Sequence, residues 1–585
     1  MSFLFISPSK KNLTPEDISE DSLLLRDSII SFIEREIHPI IDKIDIHEDN
    51  KLMSKLLKKS SAMSMMGVNI PEKYGGIDLN FIDTLLFGEA TACGYSFATS
   101  IGAHTSIGTL PIVYYGDENQ KNKYLPKLNT GELIASYCLS EPESGSDANS
   151  AKTKAILSDD KKFYLISGQK MWITNGSFAD IFIVFAKIND DKLLSAFIIE
   201  KKFGNITIGK EEKKMGIKGS STVQIYFNNT KVPISNLLGK REEGFKIALN
   251  VLNSGRIKIG ASAIGGLKYA IQKCIKYSKQ RKQFNQFISD FGAIKHKIAE
   301  MVINTFAIES LVFRIGFNIE ANYSKYLKQN KDPIKSKINS IRDYTIESSI
   351  AKVYGSELLC ESLDESIQIF GGMGYAQETG VERGYRDARI TKIYEGTNEI
   401  NRLLIFGELS KKFFKTKEIN IKKEILKSFI NLITNIIKNK KNINIQISNM
   451  KNLFIILSTS LIRKYKLKLI EEQEIIINLS DLMIQIYALE SSYMRVFSLK
   501  DKVKNYKLYE NILKSIAYKS VRKFKDHFSD IINTSNSKIS KIIFKLMLNF
   551  FIKNLSYNII DIRRSIANES LKMKSYPFLK NYIYK

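Results

Sequence analysis

Cysteine and histidine are scarce in this chain, and their scarcity excludes several kinds of chemistry. Of 585 residues only four are cysteine (Cys93, Cys138, Cys274, Cys360) and five are histidine. The cysteines show no CxxC spacing and the histidines no HxxxH or HxH pair. Neither a disulfide framework nor a metal site is therefore expected, and a reducing compartment suits the chain. Uninterrupted apolar runs fall short of the ~18 residues that a membrane-spanning helix needs. The opening "MSFLFISPSKKNLTPEDISED" turns acidic at once. It has neither the basic-then-apolar order of a secretion signal nor the Arg/Ser bias of a transit peptide. The expected location is a bacterial cytoplasm, or a mitochondrion if a transit peptide has been removed.

Glycine is missing from one region. All 32 glycines lie before residue 411, and residues 411–585 contain a single proline, Pro577. That tail carries about +22 of the net charge of +27 and repeats Ile, Lys and Asn at helical spacing, as in "NLFIILSTSLIRKYKLKLIEE". It reads as a basic C-terminal helical domain. Its lysines fit a compositional drift across solvated helix faces, or a surface held near anionic lipid or an acidic protein. No nucleic-acid-binding motif accompanies them, so nucleic acid is not an expected partner.

Ahead of the tail the chain changes character twice. Residues 15–131 repeat apolar residues at helical intervals ("EDSLLLRDSIISFIEREI"), which predicts an N-terminal helical domain. Residues 132–242 hold short alternating or β-branched runs ("KKFYLISG", "DIFIVFAKI", "STVQIYFNNTKV") between Gly, Asn and Asp turns, which predicts a middle β domain. Residues 243–407 return to long helices, broken at "IFGGMGY". The expected fold is thus mainly α with a central β domain.

Four motifs carry chemistry-bearing groups. "YCLSEPESGSD" (137–147) packs carboxylates and hydroxyls into a loop ahead of the β domain. "GQKMWITNG" (168–176) contains the only tryptophan, Trp172. A lone Trp is usually core, but beside Thr174 at a strand end it could instead cover a flat ring. "RKQF" (281–284) offers a forked donor for a phosphate, or a surface ion pair. "KIYEGTNEINR" (392–402) sets Glu395 beside Gly396 and ahead of two good helix caps, Thr397 and Asn398. Glu395 reads equally as a reactive base or as an ordinary charge near a helix start.

Taken together and in this order, the motifs resemble the acyl-CoA dehydrogenase family. "CLSEPESGSDANS" (138–150) and "QIFGGMGYAQETGVERGYRD" (368–387) match the two family signatures. "MWITNG", "KMGIKGSSTVQIYFNNTKVPISNLLG", "NSGR" and "IYEGTNEI" fall where that family places them. "GAHTSIG" and the long helical tail are similar to the very-long-chain branch. The resemblance implies a helical N-terminal domain, a β-barrel middle domain and a helical bundle, with an extra C-terminal helical domain. It implies an FAD-dependent enzyme that oxidises acyl-CoA, with long chains expected, to trans-2-enoyl-CoA in β-oxidation. The implied partners are an electron-transferring flavoprotein and a second copy in a homodimer. An acyl-CoA oxidase or a non-catalytic assembly relative are the alternatives.

The resemblance also assigns residues. Glu395 is implied as the base, with Gly396 leaving room for the thioester. Tyr137, Cys138, Leu139, Ser140 and Ser146 are implied to line the flavin, with Trp172 and Ile173 against its ring and Thr174 bonded near N5. Arg281 and Phe284 are implied at the FAD pyrophosphate, with Gln368, Gly371 and Gly372 coming from a neighbouring subunit, and Thr397 and Asn398 also touching FAD. Ser146, Asn253, Arg256 and Tyr394 are implied for the substrate. Asn285 stands where relatives commonly have glycine. Gly255 stands where some relatives carry the base, which leaves Glu395 as the candidate and space for a long chain.

Overall fold

The computed structural model describes residues 3–5, 12–46, 49, 51–414, 420–436, 442–579 and 582–584. The first long helix, Glu20–Glu36, begins where the Ser19 hydroxyl accepts the Ser22 amide at 3.2 Å. This is the Ser cap that satisfies a free N–H at a helix start. Its buried face (Leu23, Ile29, Ile30, Phe32, Ile33) repeats at helical spacing. Phe81–Thr91 is buried at every residue but Asp83, as a helix apolar all round should be.

Eight strands follow: β1 Ala135–Cys138, β2 Lys154–Leu157, β3 Phe163–Thr174, β4 Ile181–Ile188, β5 Ser195–Glu200, β6 Ile206–Ile208, β7 Thr222–Pro233 and β8 Leu237–Leu238. They pair in the order β6-β7-β3-β2-β4-β5-β8, with β1 parallel to β4 off this path. Cys138, Ile166, Phe182, Phe197 and Val223 from five of these strands meet in one apolar core. The alternation read in the sequence is the side-chain period of a strand with one face on that core. The β3–β7 register slips between Lys170 and Ile173, and Trp172 sits in that slip.

The bundle consists of Gly244–Ser278, Gly292–Asn330, Pro333–Asp343, Thr345–Phe370 and Asn398–Phe414. Two glycines allow a close crossing within it. A Cβ built on Gly355 would lie 3.1 Å from the Gly260 Cα, so larger residues here would push the two long helices apart.

The change of composition at residue 411 is not a boundary in space. The Asn398–Phe414 helix runs through it, and the tail helices Ile443–Tyr465, Gln473–Ser498 and Tyr506–Asn533 share one continuous apolar core with the bundle. Buried ion pairs cross the seam: Arg314 to Glu490 at 3.0 Å, and Arg495 to Glu309 at 2.7 Å. Arg495 also holds Glu16 at 2.6 Å, and the Phe3 ring packs on Tyr487 at 4.7 Å between centroids. Composition missed this because the surplus lysines of the tail, such as Lys422, Lys423 and Lys545, lie on exposed faces. The faces that pack are ordinary Ile and Leu. Among the described residues no helix is long and apolar enough to cross a membrane.

Candidate active site

Glu395 lies in the short turn between the 390–392 helical turn and the Asn398–Phe414 helix. Its φ is +57°, in the left-handed region that costs a non-glycine residue about 1–3 kcal/mol. Gly396 follows with φ +81°. Side chains from three helices hold this strained backbone. Arg256 Nε donates to the Glu395 carbonyl at 3.3 Å, and Lys352 Nζ donates to the Gly396 carbonyl at 2.8 Å. Asn401 Nδ2 donates to the carbonyls of Gly396 (2.8 Å) and Thr397 (3.0 Å). The Thr397 hydroxyl accepts the Ile400 amide at 3.3 Å, so the capping reading of the sequence is also correct.

The carboxyl group is arranged differently from the backbone that carries it. It lies against Gly255, where an added Cβ would come within 2.3 Å of Oε1 and 2.4 Å of Oε2. The space that Gly255 leaves is thus filled by the Glu395 carboxyl itself, a role the sequence reading had given to a long acyl chain. Oε2 is buried with no hydrogen-bond partner among the described residues. Burial pushes this carboxyl up to about 7, while the nearby charges of Arg256, Lys352 and Lys258 act in the opposite sense. A carboxyl so tuned is half ionised near neutrality and can accept a proton there.

The two lysines had no signal in the sequence, because nothing local separates them from surface lysines. Lys352 is fully buried on the Thr345–Phe370 helix, where its Nζ also donates to Asn398 Oδ1 at 2.6 Å. Lys258 lies one turn past Gly255, with its Nζ 3.4 Å from Ser106 Oγ. Burial pushes both ammonium groups down to about 8. Asn398 Nδ2 in turn donates to Glu357 Oε1 at 3.1 Å. Glu357 pairs with Arg402 at 2.7 Å, and Arg402 reaches Asp481 of the tail at 2.9 Å.

The remaining expected residues separate into three places. Asn253 and Arg256 are buried together beneath the base, joined at 2.9 Å through Asn253 Oδ1. Asn253 also donates to Thr345 Oγ1 at 3.0 Å. Both support the turn rather than open to solvent. Tyr394 adjoins the base and lines a cavity described below.

A second group surrounds the end of β1 and the slip in β3. Tyr137 and Cys138 are buried on β1, and the Tyr137 hydroxyl is buried without a partner among the described residues. Ser140 accepts the Met171 amide on its carbonyl at 2.9 Å, which fastens the loop carrying Leu139 and Ser140 to β3. Trp172 is 58% exposed with φ +61°, so it is not core, although Ile173 beside it is fully buried. A strained turn has turned the ring outward. The Thr174 carbonyl accepts the Ser136 hydroxyl at 2.8 Å, and Ser146 is exposed.

The third group lies far along the bundle. Arg281 and Phe284 belong to the hairpin Lys282–Gln283 and Gln286–Phe287, and Phe284 is 87% exposed. Asn285 adopts φ +60°, the left-handed conformation Asn tolerates, so the turn forms without the glycine common in relatives. Gln368, Gly371 and Gly372 are exposed beside the same helix end, where the Phe370 ring stacks on Tyr277 at 4.1 Å. About 35 Å of helix separates Ser278 from Gly255. The structure does not bring this group to the base within one chain.

Sequence reasoning also missed how the first motif is held. Glu141 accepts from Lys170 Nζ at 2.6 Å, Thr153 Oγ1 at 2.5 Å and the Lys152 amide at 2.6 Å. Burial alone would raise this carboxyl, but the Lys170 charge and these hydrogen bonds hold it below the usual carboxylate range.

Comparison with known proteins agrees with this geometry. Family models for the acyl-CoA dehydrogenase N-terminal domain (residues 19–132), middle domain (136–230) and C-terminal domain (242–409) match, and a second C-terminal-domain model matches 449–540. A probable acyl-CoA dehydrogenase of Bacillus subtilis is 40% identical over 489 residues, covering 82% of each chain. The very long-chain specific acyl-CoA dehydrogenase of Rattus norvegicus mitochondria is 36% identical, over 68% of this chain and 60% of that protein. A crystal structure of an acyl-CoA dehydrogenase complexed with FAD from Bacillus anthracis superposes with a TM-score of 0.94 at 36% identity, over 98% of this chain and 99% of that one. The chain belongs to the acyl-CoA dehydrogenase family.

Proposed function

We propose that the protein is an FAD-dependent dehydrogenase that converts long-chain acyl-CoA to trans-2-enoyl-CoA in β-oxidation, passing electrons to an electron-transferring flavoprotein. The observation that carries this reading is the Glu395 carboxyl, buried against Gly255 with an unpartnered Oε2 and poised near neutrality. Such a group takes the α-proton of a thioester when the substrate lies over it. Among the described residues the Glu395 N–H has no acceptor, which leaves it available to the thioester carbonyl. Gly396, without a side chain, lets that carbonyl approach. Arg256 and Lys352 grip the Glu395 and Gly396 carbonyls, so both the base and the N–H are held in place before substrate arrives.

The residues present also fit FAD. Exposed Trp172 offers a flat face, the loop at Ser140 is fastened to the strand beside it, and the Tyr137 hydroxyl is buried without a partner among the described residues. Tyr137, Ser140, Trp172 and Thr174 would hold the ring. Arg281, Phe284, Gln368, Gly371 and Gly372, exposed at the far end of the bundle, would serve the cofactor of a partner in a homodimer. When bound, FAD supplies the acceptor for the β-hydrogen as hydride.

Long substrates are favoured by a cavity of about 160 Å³ lined by Tyr394, by the Gly244–Ser278 helix from Ser262 to Cys274, and by the Thr345–Phe370 helix. Two further features suit peripheral membrane contact. Leu426, Phe429, Ile430 and Ile433 are exposed on a helix that also bears Lys422, Lys423 and Lys427, and Ile539, Ile542, Ile543 and Leu546 form a second exposed row. Apolar rows edged by lysine match an anionic bilayer surface.

The test is anaerobic addition of palmitoyl-CoA to the yellow protein, followed by electron-transferring flavoprotein or oxygen. Bleaching that the flavoprotein reverses faster than oxygen is expected. No bleaching at any chain length overturns the reading, and rapid oxidation by oxygen alone would make the protein an oxidase.

A further inference from the structure

The walls of the acyl cavity are not uniformly apolar. Leu359, Leu363 and Ala270 supply apolar stretches of its wall, and Tyr394 lines it too. Along the Gly244–Ser278 helix its wall runs from Ser262 to Cys274, and Lys273, eighteen residues or about 27 Å from Gly255, stands near the far end of that run. Lys273 has neither an ion pair nor a hydrogen bond among the described residues. Its half-buried ammonium rests over the Tyr269 ring at 4.8 Å. The two nearby arginines do not share this condition. Arg383 is paired with Asp42 at 2.6 Å, and Arg386 with Asp45 at 2.9 Å. Asp387 lines the same cavity but does not neutralise Lys273. Its Oδ1 accepts the Ile217 amide, and its Oδ2 is buried without a partner.

A cation without a counter-ion at the end of an apolar channel is costly for a chain ending in methyl, which would cover it without pairing it. We propose that the far end of this cavity is a carboxylate subsite, and that the enzyme accepts acyl-CoA whose ω-carbon carries a carboxylate. This rests on the dehydrogenase reading above. The ω-carboxylate would pair with the Lys273 ammonium, which leaves the Tyr269 face it now occupies, while the thioester end stays at Glu395. A hydroxyl would use only part of this arrangement, because the unmatched group at the channel end is a full charge. The apolar middle sets a minimum length, since a short diacid would leave its charge among Leu359 and Leu363.

Holoenzyme is assayed with palmitoyl-CoA, the mono-CoA thioester of hexadecanedioic acid, and the ω-methyl ester of that thioester. The wild type is expected to use the diacid at least as well as the neutral ester. Lys273→Met is expected to lower the diacid-to-ester ratio of kcat/KM roughly 10- to 100-fold, the range for a charged hydrogen bond. Lys273→Arg should retain most of the ratio. Calorimetric binding of the same pair reads the ratio without turnover, and the wild-type comparison stands even if a variant fails to fold. A wild type that uses or binds the ester at least tenfold better than the diacid overturns the proposal, as does an unchanged ratio in Lys273→Met. If no thioester is oxidised, the dehydrogenase reading itself fails, and the calorimetric ratio still decides the subsite.

Discussion

Two carboxylates in this molecule begin from similar sequence and end with opposite chemistry. Glu141 and Glu395 each stand in a glycine-containing loop, and each sets its carboxyl beside cationic side chains. Glu141 has both oxygens occupied, by Lys170, Thr153 and the Lys152 amide, and its carboxyl is held below the ordinary range. Glu395 keeps Oε2 free while its backbone takes the hydrogen bonds, and its carboxyl rises to about 7. Nearby positive charge is common to both. What separates them is whether hydrogen bonds end on the carboxyl or on the main chain, so one becomes a structural pin and the other is left able to accept a proton, as the proposed function requires of it.

Removing each acid should expose the difference. Glu395→Gln is expected to keep FAD and the fold but lose about 10²- to 10⁴-fold in kcat, as loss of a general base does. Flavin absorbance and reductive half-reaction rates measure this, and near-normal turnover would remove Glu395 from its role. Glu141→Gln should act on stability first. Stranding the Lys170 ammonium, which is fully buried, should cost about 3–5 kcal/mol, read as a lower midpoint in denaturant and weaker flavin retention. A stable Glu141→Gln protein would mean the pair is not the pin described here.

The comparison sharpens further without removing either acid. Gly255→Ala puts a Cβ within 2.3 Å of the Glu395 carboxyl, but the carboxyl ends a flexible side chain and can move aside. The fold should survive, helped by alanine's helix propensity, while displacement of the base by about 1 Å costs roughly 10²-fold in kcat. Unaltered kcat would show that the carboxyl has slack. The smallest expected effect is a shift in the pH profile. Only ionised Glu395 accepts a proton, so kcat/KM should fall tenfold per pH unit below about 7. Lys352→Met removes a charge that favours the ionised form, so this acidic limb should move to higher pH. A limb that stays put would place Lys352 outside the electrostatics of the base.

Much of the fold was legible, because strand alternation and helical spacing are direct consequences of which faces are buried. Glu395 was legible through its motif. Gly255 was visible as a residue that cannot act as a base, but not as the residue whose missing side chain seats one, since that contact joins positions 140 residues apart. Lys352 and Lys258 were invisible because burial, which gives them their effect, is a tertiary property. Trp172 looked like core by type, and only the slip in the β3–β7 register shows why it faces outward. The tail read as a separate unit because its charge is on faces that do not pack.

The contacts between the first residues and the tail have a consequence in time. Glu16 waits for Arg495, and Phe3 for Tyr487. At about 5–20 residues per second, synthesis separates these partners by roughly half a minute or more. The start of the chain therefore spends that interval without its final neighbours, long after the strands of the middle domain have all emerged. Closing that clasp joins a segment made early in synthesis to helices made several hundred residues later.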